Sequence, residues 1–105
     1  MRTSRLRAAA WPVLAADQTD RVFALFFEAN GLAAAGREPY ATLVPQLVGA
    51  WVEWVMEFIG GDAEVRRAEA EATVAMVDGL LLVRQLVGPD AAQRAAERIG
   101  VAGTT

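Results

Sequence analysis

The chain has 105 residues, 54% of them hydrophobic and 22% charged, with a net charge of −3 and a pI near 4.9. That is enough apolar material for one small domain with a core, and the acidic balance weighs against nucleic-acid binding by bulk electrostatics. Cys and His are absent and all ten basic residues are Arg, which removes disulfides, thiolate nucleophiles, the commonest general base and the commonest metal ligand.

Apolar spacing is helical throughout and no stretch alternates strictly. An all-α fold of about five helices in an antiparallel or crossed bundle is therefore expected, as a single domain over 1–105. The opening MRTSRLRAAAWPVLAAD is basic, then mildly apolar, and Pro12 and Asp17 interrupt it too early for an export signal. Ser4 is suited to cap a first helix with Leu6, Ala9, Ala10, Val13 and Leu14 on its inner side. Pro12 should kink or shorten that helix, which should end by Asp17. Arg2, Arg5 and Arg7 make a basic tip, read as a solvated end.

Asp17 or Thr19 caps a second helix, with Asp20 near its positive end. Val22, Phe23, Leu25, Phe26, Phe27 and Leu32 surround most of its axis, and Gly36 suits its termination. Pro39 fits the first turn of a third helix, whereas Pro45 calls for a kink or a short lead-in turn. From Thr42 onward the polar or small positions are Thr42, Gln46, Gly49, Glu53 and Glu57, a narrow wet stripe beside a very wide dry face. The apolar run from Tyr40 to Ile59 nears membrane-spanning length, but Pro45, Gln46, Glu53 and Glu57 argue against lipid.

Gly60-Gly61 breaks the chain and Asp62 caps a long fourth helix reaching Val87. Its second half is apolar on several sides, and Ala68, Ala72, Ala75 and Gly79 stack on one face, where a neighbouring helix could approach closely. Gly88-Pro89-Asp90 stops that helix and starts the last, Asp90 to Ile99, with Ala91, Ala92, Ala95, Ala96 and Ile99 apolar. The final VAGTT reads as a frayed tail.

Two stretches, RVFALFFEANGLAAAGREPYATLVPQLVGAWVEWVMEFI and AEATVAMVDGLLLVRQLVGPDAAQRAAERIG, in this order and spacing, resemble the C-terminal effector-binding and dimerization domain of TetR/AcrR-like transcriptional regulators. The telling pieces are FFEANGLAA, PYATLV with a following Trp51, and AMVDGLLLVRQLVGPD. Nothing in the sequence resembles the helix-turn-helix unit of that family, so direct DNA binding is not expected. The chain is read either as a fragment or truncated reading frame of a regulator, or as a stand-alone effector-domain protein. Some apolar surface should then lie bare.

The resemblance implies a homodimer in which the last two helices pair with their twofold copies as a four-helix bundle. It carries Val74, Val77, Asp78, Gly79, Leu81, Arg84 and Ile99 to the interface, with Ala75 helping close approach. It also implies a small hydrophobic effector among the preceding helices. Phe23, Phe26, Phe27, Asn30, Trp51, Trp54, Val55 and Phe58 are the candidate wall, with Gln46, Thr73 and Asp78 as further polar anchors. Each aromatic is equally a core residue by type. Asp78 reads as exposed or as a rim residue which, if covered, should meet Arg84 or another donor.

Glu53 and Glu57 are four residues apart, but no facing ligand set makes them a metal or acid–base pair. No phosphate loop or nucleophile–base pair is present. The expected function is thus non-catalytic effector sensing and dimerization, cytoplasmic, without cofactor or metal and without membrane insertion. The alternative is a helical interaction dimer with a filled core and no ligand, able to pair with a full-length regulator.

Overall fold

The computed structural model describes residues 3–102, all-α as the spacing predicts. Five helices follow one another: α1 (Thr3–Leu14), α2 (Asp17–Ala34), α3 (Tyr40–Met56), α4 (Ala63–Leu86) and α5 (Pro89–Arg98). Among the described residues there is no strand, and no helix is long and apolar enough to cross a membrane. The body is a slab of 41 × 36 × 19 Å. At 10–12 Å per helix with side chains, that is two helices deep.

The helix ends follow the local chemistry, with two corrections. Asp62 caps α4, its carboxylate accepting the Val65 N–H at 3.1 Å. Gly88, at φ +131°, separates α4 from α5, and Pro89 occupies the first turn of α5. Gly36 ends α2 in a left-handed conformation, φ +77°. The Arg37 N–H then closes back on the Leu32 carbonyl at 3.0 Å, satisfying a carbonyl the helix leaves open. The first correction concerns the starts of α1 and α2. Ser4 lies inside α1, not at its cap, and Ala16 occupies the cap of α2 without a side-chain bond. The Thr19 hydroxyl instead reaches back to the carbonyls of Leu14 at 2.6 Å and Ala16 at 2.8 Å, tying the α1–α2 corner. The second concerns the lead-in turn offered for Pro45, which lies instead inside one continuous α3.

Helix α4 is the common support: α1, α2, α3 and α5 all pack on it. Its inward residues are Ala70, Thr73, Val77, Leu80 and Leu81. Toward α5 and the end of α1, Val77, Leu80 and Leu81 meet Trp11, Ala92, Ala96 and Val101. Toward α3, Ala70 meets Val52, Val55 and Met56. Polar contacts lock the arrangement. Arg84 of α4 grips Asp20 of α2 with two bonds, 2.7 Å from Nε and 3.1 Å from Nη2, and reaches Asp17 at 3.0 Å. The Arg84 guanidinium holds the Asp20 carboxyl below its ordinary range, in the planar fork geometry that arginine provides.

Two predicted faces are turned. In α1 the inner residue is Trp11, 2% exposed, while Val13 is 64% exposed. Ala9 is also outward. The Trp11 indole N–H donates to Gln93 Oε1 of α5 at 2.9 Å. The tail is not frayed at Val101, which is wholly buried. Gly100, at φ +82°, redirects the chain so that the Val101 N–H bonds the Ala96 carbonyl at 2.8 Å and its side chain enters the core. Thr104 and Thr105 lie outside the described residues.

Much apolar surface is bare: Val22 and Leu25 on α2, Leu43 and Leu47 on α3, and Leu82 and Leu86 on α4 are all exposed. The wide dry face of α3 is thus only partly covered, by way of Val52, Val55 and Met56. The small-residue face of α4 also points outward. Ala68, Ala72, Ala75 and Gly79 are exposed, and a Cβ added at Gly79 would meet nothing within 4 Å. That row continues through Leu82 and Leu86 with steps of four, three, four, three and four residues, a 3.5-residue seam.

Two substitutions test the turned faces. Trp11→Ala should cost about 3 kcal/mol or more through the cavity it leaves. Val101→Ala should cost about 2 kcal/mol, the loss of two buried methyls plus a void. A Val101→Ala protein with an unchanged urea midpoint would mean that the tail is not part of the core.

Candidate functional site

Helices α1, α2 and α3 leave a gap between themselves and α4. It is a cavity of about 290 Å³, at the small end of the range for ligand sites and about twice an engineered cavity that holds benzene. Helix α1 contributes Leu6, Arg7, Ala10 and Leu14, and α2 contributes Phe23. Trp51, Trp54 and Val55 come from α3, and Thr73, Val74, Val77, Asp78 and Leu81 from α4. Trp54, 57% exposed, marks the rim.

Of the eight residues proposed as a ligand wall, Phe23, Trp51, Trp54 and Val55 line this cavity, and Phe26, Phe27, Asn30 and Phe58 do not. Phe26 is buried behind Trp51, ring centroids 4.8 Å apart, and meets Phe23 edge-on at 6.3 Å. Phe58 sits edge-on to Trp54 at 4.9 Å. Both brace the wall from behind, in the tilted and edge contacts that aromatic rings favour. Phe27 packs against the Trp11–Leu81 core. Asn30 is away from the cavity, and its Oδ1 is buried without a partner among the described residues.

The polar residues lining the cavity are Arg7, Thr73 and Asp78. Arg7, expected in a solvated tip, is instead turned inward. Its side chain is 16% exposed and its Nε donates to Thr73 Oγ1 at 3.1 Å. The Thr73 hydroxyl in turn donates to the Glu69 carbonyl at 2.8 Å, and Arg7 Nη2 lies 3.8 Å from the Glu69 carboxylate. The Arg7 charge is therefore answered. The signal for it was its helical spacing to Ala10, Trp11 and Leu14, which its charge obscured. Arg2 lies outside the described residues, and Arg5 is exposed.

Asp78 has no such answer. Arg84, its expected partner, is engaged by Asp20 and Asp17. Among the described residues no side-chain hydrogen bond reaches the Asp78 carboxylate, and burial pushes its carboxyl up to about 6 from an ordinary 3.8. Asp78 also borders a second hollow on an adjoining face of α4, shared with Val48, Gly49, Val52, Arg67 and Glu71. There Arg67 is paired with Glu53 at 2.8 Å, so Glu53 is an ion-pair partner, not half of a carboxylate couple with Glu57.

The residues carried to a dimer interface divide. Val77 and Leu81, 8% and 1% exposed, belong to the chain's own core, which corrects their assignment to a surface. Arg84 is committed to the α2 clamp, and its side chain is 9% exposed. Val74 and Asp78 are half-covered at the cavity. Gly79 and Ile99 face outward. A helical repeat fixes which residues share a face but not which face turns inward when apolar residues lie all round the axis.

Compared with family models, with curated proteins and with solved structures, the chain matches none.

The raised Asp78 pKa has a definite sign. Between about pH 4 and 6 the folded carboxyl stays protonated while the unfolded one ionises, so folding loses stability as pH rises across that window and is flat above it. Asp78→Asn removes the ionisation without changing size. Its melting temperature should exceed that of the parent by more at pH 7.5 than at pH 4.5. Equal offsets at both values would show that the group titrates normally.

Proposed function

We propose that this chain is a non-catalytic sensing and dimerization module of TetR-like type, which binds a small, largely hydrophobic effector and pairs with a second copy of itself. The observation that carries the reading is the cavity between α1, α2, α3 and α4: apolar walls with two tryptophans, and few polar groups among its lining residues. Such a composition suits a ligand of one or two rings, held by burial and oriented by few polar contacts. The ordered motifs that resemble the TetR/AcrR-like effector domain supply the remaining support, and cytoplasmic residence goes with that reading. The Thr73 hydroxyl at the cavity is held on the Glu69 carbonyl, and the reading involves no chemistry on the ligand.

Dimerization is proposed through the outward seam of α4, Ala68, Ala72, Ala75, Gly79, Leu82 and Leu86, together with Ile99 of α5. Small residues at one end let two helices approach, and leucines at the other supply the apolar area. Ligand would act by favouring one arrangement of the two subunits over another, by no more than its difference in affinity for them. In the alternative reading, a ligand-free interaction module, the seam is kept and the cavity closes or stays empty.

Ligand binding is checked with naphthalene and indole. Saturating naphthalene should raise the melting temperature and alter tryptophan emission, since Trp51 and Trp54 line the space. Ala10→Phe, which fills the cavity from α1, should abolish both responses while the fold persists. If neither compound shifts the parent, the sensing reading fails and the interaction module stands.

The dimer is checked at Gly79. Within the subunit the position is open, and replacing a mid-helix glycine favours the helix by about 0.5–1 kcal/mol for alanine. Gly79→Leu should therefore leave the subunit folded yet hold two α4 helices apart. Sedimentation velocity should report a dimer for the parent and a monomer for the variant. A variant that still sediments as a dimer would place the contact on another face.

A further inference from the structure

The cavity's two charged groups are in opposite conditions. Arg7 has a hydroxyl partner in Thr73 and an acidic neighbour in Glu69. Asp78 lines the same space with no donor among the described residues: Arg84, its nearest expected partner along α4, is held by α2. An ionised carboxylate half removed from water and left unpaired is costly, and a ligand that brings a cation to it relieves that cost. The opposite wall carries Trp51 and Trp54, rings whose faces attract cations and whose bulk accepts an apolar body.

From this juxtaposition we infer that the ligand of the cavity is a hydrophobic amine, with its ammonium group on Asp78 and its apolar body between Trp51, Trp54 and Phe23. The inference rests on the sensing reading above and adds the charge class of the effector. A carboxylate ligand is the competing chemistry, because Arg7 lines the same space. It is disfavoured because Arg7 already has its partners and because a second anion would sit beside the unpaired Asp78. The cavity volume limits the body to about one fused pair of rings.

The pH dependence follows from the groups around Asp78. From α1 the ionisable neighbour is Arg7, from α4 itself Arg67 and Glu71 on the same helical face as Asp78, and α2 and α3 present only apolar residues and glycine at these two hollows. Arginines keep their charge across the range tested. A primary amine of ordinary basicity also stays cationic, so the change between pH 5 and pH 7.5 is that of Asp78. Amine affinity should rise with pH, because the carboxylate forms in that interval.

The test is a matched series on one skeleton, measured by calorimetry or tryptophan quenching with the full chain: 1-naphthylmethylamine, 1-methylnaphthalene and 1-naphthoate. At pH 7.5 the amine should bind about tenfold or more tighter than the hydrocarbon, in keeping with a charge-assisted contact, and the acid weakest. At pH 5 the amine should lose most of that advantage while the hydrocarbon is unchanged. Asp78→Asn should bring amine and hydrocarbon within about threefold of each other at both pH values. If amine and hydrocarbon bind the parent equally, or the acid binds best, the amine assignment is overturned and the sensing reading survives. If the preference persists in Asp78→Asn, Asp78 is not the counter-ion. If none of the three binds, both readings fall together. Should Asp78→Asn fold poorly, the pH series on the parent decides alone.

Discussion

The inner side of α4 sets the rest of the molecule. Ala70, Thr73, Val77, Leu80 and Leu81 present a surface that narrows and widens along the helix, and four other helices must share it. Where the residue is Ala70, α3 comes close enough to bury Val52, Val55 and Met56. Where it is Leu80 and Leu81, the space is filled by Trp11 and the alanines of α5. Between those two packed regions the helices diverge, and the cavity is what they leave. Close packing is the rule in protein interiors, so a void of this size, between two otherwise dense clusters, draws notice.

The polar contacts divide the same way. At the α2 end, a nearly buried arginine is matched by two aspartates and stiffens the joint. At the cavity, Arg7 and Thr73 form a short relay that ends on a backbone carbonyl, and Asp78 stands outside it. Arg84, six residues along the same helix, is drawn off by α2, and the half-covered Asp78 carboxylate has no side-chain hydrogen bond among the described residues.

The helices were legible in the sequence because their ends carry unambiguous chemistry: Gly36 after α2, Asp62 before α4, and Gly88-Pro89 between α4 and α5. Their orientations were less so. In α1, Leu6, Ala10 and Leu14 were read inward correctly, but Val13 was placed inward and Trp11 passed over, since both are apolar and two residues apart. Arg7 escaped notice because a charged side chain near a chain end is usually wet, and here a threonine hydroxyl on another helix receives it. Val77 and Leu81 were assigned to the outside of a helix whose apolar residues encircle it, and only the positions of α1, α3 and α5 decide which way they turn. The cavity wall was half legible. Its aromatic members are conspicuous by type, but the voids between side chains depend on distances no sequence spacing encodes. Val101 was lost for a different reason: a glycine that begins a tail and a glycine that folds the chain back look alike until the hydrogen bond to Ala96 is seen.

The slab is only 19 Å through, and this has a consequence for motion. In a body two helices deep, every helix has one long side against water, so parting any one of them from α4 exposes a single layer of contacts. Opening of that kind costs less than global unfolding. Slow amide exchange should concentrate in the middle turns of α4, where all the layers overlap, and fall away toward α1 and the outer turns of α3. A guest would then enter by the brief lifting of one cylinder, with no separate gate required.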